Sequence, residues 1–283
     1  MLCSNCKINA AVVPDGRCPA CAPAPSVEGQ PAPAAAHPSA TAYPPAPPAV
    51  PAGPVLRSPV GLGRAVVALL CAGIAVDLFA VFAELHLHAF LDTAAMDGTG
   101  DWESGAERAD LLMVAAGVLQ MLALTATAVL FIIWLYRVRR NAAVFAPDVL
   151  TSGAGWAVGG WFVPVANLWM PRRIVGQSWR ASTGDPYGAP AKGEGHGILH
   201  LWWALWLASL LMDRFAGRAY DRAETAQEIM DAAQALAVSE AVSVAAAVCA
   251  VLVVRRLTAL QHAKALRGPQ PRPAPPAVPQ PMA

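Results

Sequence analysis

Charge is what this chain has least of. Only 14% of its 283 residues are Asp, Glu, Lys or Arg, against 56% hydrophobic, and a soluble domain carries about 25% charged residues. That deficit excludes a surface that meets water on every side. The formal net charge of +1 singles out no strongly charged partner, so the placement of charge has to carry the information. Signatures of chemistry are also missing. No His-Glu-x-x-His pattern occurs, and the apolar runs hold no serine–histidine, paired-aspartate or histidine-rich grouping of the kind that nucleophilic, acid–base or metal-assisted catalysis uses. The expectation is a non-enzymatic protein. A secretory signal is lacking too: Cys3 and Cys6 stand where a basic start and an apolar stretch would be. The first hydrophobic run is expected to serve as its own uncleaved insertion signal.

Hydrophobic runs are what the chain does have. Residues 66–85, 111–136, 196–213 and 232–254 are apolar stretches of lipid-crossing or near-crossing length. A helix rises about 1.5 Å per residue, so roughly 20 residues cross a hydrocarbon core of about 30 Å. Backbone groups in lipid have no water to bond, so each span must be helical. The expected fold class is an all-α integral membrane protein with four transmembrane helices inside a membrane domain at 60–260. Residues 23–59 contain 12 prolines, and the chain from Gly268 holds seven prolines in 16 residues. Such composition buries too little to fold. A disordered linker at 23–59 and a disordered Pro-rich tail at 261–283 are expected. The tail is read as solvated, with SH3-like docking the weaker reading.

Orientation follows from the basic residues. Residues 154–171 form a fifth apolar stretch, interrupted by Gly159, Gly160 and Pro164. With the N-terminus inside and this stretch not crossing, 16 of the 20 Lys and Arg lie in the cytoplasm. Only Arg108, Arg214, Arg218 and Arg222 lie outside. If it crosses, the split becomes 10 to 10. Positive residues favour the cytoplasmic side, so both termini are placed there, in a plasma membrane, and residues 154–180 become a re-entrant or interfacial segment. Within it Arg173, Gln177 and Arg180 share one helical face and Ile174, Val175, Ser178 and Trp179 another, as in a helix lying on anionic headgroups. Trp156, Trp161, Trp169 and Trp179 fit an aromatic belt. The outer loops are acidic, which serves solubility and attracts cations weakly once salt screens it.

Four cysteines, Cys3, Cys6, Cys18 and Cys21, form two Cys-x-x-Cys pairs separated by 11 residues. Zinc favours four thiolates in a tetrahedron, and a reducing cytoplasm disfavours disulfides. Residues 1–22 are read as a zinc-ribbon-like module with structural Zn2+. A closed site of four thiolates has no open position for catalysis. With Lys7 and Arg17 its sole basic residues, the module is not expected to bind nucleic acid, which leaves a cytoplasmic protein partner. Cys71 and Cys249 lie alone in apolar runs and read as packing residues. The pairs His86/His88 and His196/His200 fall on opposite sides of the membrane, so they cannot share a metal, and each reads as interfacial.

Asp77 lies near the middle of the first run and Glu240 inside the fourth. An ionised group there costs at least a few kcal/mol, so each must be protonated, paired or facing a polar cavity. Two readings stand: a functional site, or a structural hydrogen bond to Gln120, Gln234, Ser239 or Ser243. Asn167, at the Pro164–Asn167 interruption, is the third intramembrane polar candidate, because broken helices can line a cavity. The alternative to an anchor or sensor is a small transporter or channel using these carboxylates, and with four spans it would have to be a homo-oligomer.

The run W-F-V-P-V-A-N-L-W-M-P, followed by W-R-A-S and L-W-W-A-L-W-L-A-S, resembles the actinobacterial membrane family known as domain of unknown function 4328, over roughly residues 60–260. The resemblance implies a multi-span helical domain and no activity. It marks Trp161, Pro164, Asn167, Leu168, Trp169 and Pro171 as family-defining positions without a role.

Overall fold

Apolar segments that must satisfy their own backbone become helices, and in the computed structural model they do so well past the ends of the runs. The structure describes residues 55–97, 102–188 and 196–268. Six α-helices follow in order: α1 (Val60–Asp97), α2 (Trp102–Phe145), α3 (Trp156–Gly159), α4 (Met170–Ser182), α5 (His196–Arg222) and α6 (Ala226–Arg267). Among the described residues there are no strands.

Three of these helices are long and apolar enough to cross a membrane: Val60–Ala94, Trp102–Phe145 and Ala226–Arg267. The expected fourth span lies within α5, whose 27 residues are helical but less apolar, since Trp202, Trp203, Trp206, His200 and Asp213 dilute its leucines. The cysteine module and most of the linker and tail lie outside the described residues. One boundary shifts. Residues 261–267, assigned to the tail, are the last turns of α6, held by buried Gln261 and Lys264.

Helices α1 and α6 run antiparallel side by side. Gly63 faces Thr258 so closely that a Cβ on Gly63 would sit 2.7 Å from the Thr258 hydroxyl. At the other end Leu87 and Leu91 pack with Met230 and Ala233. Helix α2 packs on α1, and α5 on α6. Small residues make the α1–α2 contact, with Ala80 and Ala83 against Ala116, as close helix packing in lipid requires. The start of α6 carries a capping box: Thr225 Oγ1 accepts from the Glu228 N–H at 3.2 Å, and the Glu228 carboxylate accepts from the Thr225 N–H at 3.1 Å.

The interrupted stretch contains no long helix. Helix α3 ends at the glycine pair, a 3-10 turn covers Ala166–Leu168, and Pro171 opens α4 in its first turn. Helix α4 buries Ile174, Val175, Ser178 and Trp179 and exposes Arg173 and Arg180. Two of the tryptophans expected in the belt point inward instead. Trp179 is buried, and Trp161 packs against the central core. Trp156 and Trp169 stay exposed.

Candidate functional site

A carboxyl group is carried into an apolar bundle at a cost, so its surroundings show what offsets it. Helix α1 presents Asp77 and, two turns later, Glu84. Helix α2 presents Gln120 and α6 presents Glu240. Antiparallel packing of α6 on α1 brings these together. The Gln120 side-chain amide serves as hydrogen-bond partner to both Asp77 and Glu240. Glu240 lies within electrostatic range of Asp77, Glu84 and Asp213, the last from α5. Glu84 and Glu240 are buried, at 5% and 7% exposure, Asp77 is half-buried and Asp213 is exposed. One Glu84 oxygen is buried with no hydrogen-bond partner among the described residues. One level along, Ser239 Oγ donates to the Ser209 carbonyl at 3.4 Å, joining α6 to α5. The cluster thus draws on four helices, with an amide as bridge and, among the described residues, no cation facing either buried glutamate.

Asp77 and Glu240 were legible singly as runs broken by a charge. Their pairing was not, because nothing in either run fixes the register of α1 on α6. Of the polar partners open to them, Gln120 is the one in place. Glu84 was missed because it closes the first apolar run and reads as its end. The available signal was spacing: seven residues from Asp77 is two helical turns, hence the same face.

Asn167 belongs to a different place. Its 3-10 turn packs on the start of α5, where Trp203 Nε1 donates to the Leu168 carbonyl at 2.9 Å. Trp161 stands edge-on to Phe131, Trp203 and Trp206, with ring centroids 5.7, 6.3 and 5.7 Å away. The Trp161 N–H and the Asn167 side-chain oxygen are both buried without partners among the described residues. Pro171 is fully buried, while Pro164, Leu168 and Trp169 are exposed. Of the six family-defining positions, Trp161 therefore joins an aromatic wall with Phe131 of α2 and Trp203 and Trp206 of α5, and Leu168 is tied to it through its carbonyl.

Beyond the aromatic wall lies a polar network. Gln261 Nε2 donates to the Val138 carbonyl at 2.9 Å and to Ser182 Oγ at 3.2 Å. Asn141 Nδ2 donates to Gln261 Oε1 at 3.1 Å and to the Arg57 carbonyl at 2.8 Å. Lys264 Nζ donates to the carbonyls of Ala181 and Thr183 at 3.0 and 2.8 Å, so it closes the C-terminus of α4. Arg139 donates to the Ser152 carbonyl. Arg172 Nη1 lies 2.9 Å from His200 Nδ1, and His86 stacks on Phe82. Among the described residues no group of three or more His, Cys, Asp or Glu could hold a metal ion. Cys3, Cys6, Cys18 and Cys21 lie outside those residues.

No curated protein and no solved structure matches the chain. A family model described as Domain of unknown function (DUF4328) matches residues 99–259, from just before α2 to near the end of α6. Gln120, Glu240 and the aromatic wall fall inside the match, and Asp77 and Glu84 precede it. Matched over more than half its length, with membrane-length helices inside the match, the chain belongs to the family of domain of unknown function DUF4328.

Proposed function

We propose that this is a non-enzymatic multi-pass protein of the cell membrane that anchors and senses. Helices α1, α2, α5 and α6 each cross, and both termini sit in the cytoplasm. Residues 1–22 hold a structural Zn2+ through Cys3, Cys6, Cys18 and Cys21 and contact a cytoplasmic protein partner. One observation carries the sensing role: the half-buried Asp77 of α1 and the buried Glu240 of α6 share the Gln120 amide, with the buried Glu84 of α1 close by, in the interior of long apolar helices. A plain anchor gains nothing from such a cluster and bears its insertion cost. The crossing of α5 is supported by its packing along α6 and by the 16-to-4 division of basic residues that it produces.

The topology is tested by single cysteines. Arg140→Cys and Arg256→Cys should resist an impermeant maleimide on intact cells, whereas Arg218→Cys should react. Labelling at the first two would overturn the orientation and remove the reducing surroundings of the cysteine module. The partner is tested by crosslinking in native membranes with mass spectrometry. Crosslinks that disappear in Cys3→Ser/Cys6→Ser support recruitment through the metal module, and an unchanged crosslink map refutes it.

The same cluster, with the interruption at Pro164–Asn167, favours a second reading: a small oligomeric transporter. Reconstituted vesicles should then show solute flux that Asp77→Asn and Glu240→Gln abolish. Vesicles without flux for any ion or solute tried would refute it.

A further inference from the structure

We infer that the ligand of the intramembrane cluster is the proton, held between Glu84 of α1 and Glu240 of α6, with Gln120 coupling that pair to Asp77. This rests on the sensor reading and names what is sensed. Two observations carry it. The first is composition. The charged groups facing Glu84 are Glu240 and Asp213; those facing Glu240 are Glu84, Asp77 and Asp213; α2 contributes only the uncharged Gln120. Like charges in an apolar interior cannot all ionise together, and no cation among the described residues faces them.

The second is the state of Glu84 itself. It is 5% exposed, and one of its oxygens is buried without a donor. An ionised carboxylate wants several donors, and none is offered to that oxygen. A proton on it supplies the missing hydrogen and turns the group into a donor towards the neighbouring carboxylates. A metal ion fits less well, because no group of three or more ligating side chains has the geometry to hold one among the described residues. A bare proton needs no such cage. Asp213 is exposed on α5 and electrostatically linked to both glutamates, so it marks the side from which the proton arrives. In the proposed topology that is the outer face.

Uptake is then a simple exchange: a proton leaves water for a carboxylate oxygen, one negative charge disappears, and the repulsion between α1 and α6 falls. At rising pH the proton leaves, the charge returns, and the helices are driven apart at that level. Asp77, at the inner end of the cluster, registers the change through the amide it shares with Glu240.

The test uses a hydrophobic carbodiimide, which couples to protonated carboxyls in apolar surroundings, on the full chain in native membranes, with the adducts mapped by mass spectrometry. Glu84 or Glu240 should be labelled at neutral and mildly acidic pH, and the adduct should be lost at alkaline pH. Added Na+, K+ or Ca2+ should leave it unchanged. Glu84→Gln and Glu240→Gln should each lose the adduct at their own position. Because a glutamine here could also loosen the bundle, Gln120→Glu serves as a second variant. It places a further acid between Asp77 and Glu240 and should itself become labelled. No adduct at any pH, or an adduct suppressed by one of the added cations, overturns the proton assignment. Failure of the membrane reading looks different: carboxyls throughout the chain, such as Asp92 and Glu103, would then react no differently from Glu84.

Discussion

Replacing Gln261 with leucine probes the joint that holds α2, α4 and α6 together. Gln261 is 1% exposed and takes part in three hydrogen bonds, to the Val138 carbonyl, Ser182 Oγ and Asn141 Nδ2. At about 0.5–1.5 kcal/mol net for each, the set is worth about 1.5–4.5 kcal/mol. Leucine nearly preserves the volume and adds apolar burial, which returns part of that. No partner is stranded either. Asn141 keeps the Arg57 carbonyl at 2.8 Å, and Ser182 Oγ keeps the Ser178 carbonyl at 2.6 Å. The expected loss is therefore near the low end, about 2 kcal/mol, enough to change the folded-to-unfolded ratio by a factor of roughly 5–30. The assay is titration of the purified protein in mixed micelles with dodecyl sulfate, followed by circular dichroism. A shift within about 0.5 kcal/mol of wild type, the range of an unimportant surface change, would refute the view that Gln261 ties the three helices.

Other perturbations follow from the same contacts. Gly63→Val should destabilise by about 1–3 kcal/mol in that titration, since Thr258 is already pinned by the Trp134 N–H at 3.1 Å and cannot retreat freely; a neutral result would mean that α1 and α6 are less closely apposed. Thr225→Ala should loosen the start of α6 by about 1 kcal/mol, seen as faster amide hydrogen exchange in its first turn, and unchanged exchange would dismiss the capping box. The Glu228 carboxylate, held below the usual glutamate range by the backbone N–H groups of Glu224 and Thr225, contributes stability that is full above that range and is lost as pH falls through its lowered value. Exchange in this turn should therefore quicken in acid for wild type, and Glu228→Gln should remove that dependence. Purified full-length protein should carry about one zinc per chain by atomic emission, lost in Cys3→Ser/Cys6→Ser; retention of metal by that variant would refute the ligand set.

How much of this could be read from the chain depends on the range of the interaction. Local patterns were legible. The glycine pair at 159–160 ends α3, and the apolar face read across Ile174, Val175, Ser178 and Trp179 is the buried face of α4. Helix lengths were underestimated because an apolar run reports what lipid would cover, whereas a helix stops where its backbone bonding stops. The capping box at Thr225 starts α6 six residues before its apolar run, and Lys264 and Gln261 hold its other end. Long-range partners were not legible. Trp134 and Thr258 are 124 residues apart, and Gln261 and Val138 are 123 apart. Neither side chain carries a mark of its partner, so only the packed register reveals them. Trp161 reads as part of an aromatic belt because tryptophan is enriched at membrane–water interfaces. The aromatic partners waiting on α2 and α5 drew it inward.

Helix α6 passes without interruption from Glu240 to Gln261 and Lys264, and the 21 residues from Glu240 to Gln261 span about 31 Å at 1.5 Å per residue. The carboxylate cluster and the joint with α4 are thus two fittings on one stiff axle. If a charge appears or vanishes at the first, as the proton assignment has it, the continuous helix offers no break between that point and the second. Because Lys264 clasps the last carbonyls of α4, that amphipathic helix, with its arginines outermost, would be swung along the membrane surface as a paddle. Under the proposed sensor role, no moving loop would be needed to carry a message from one side of the bilayer to the other; torsion of a single rod would do it.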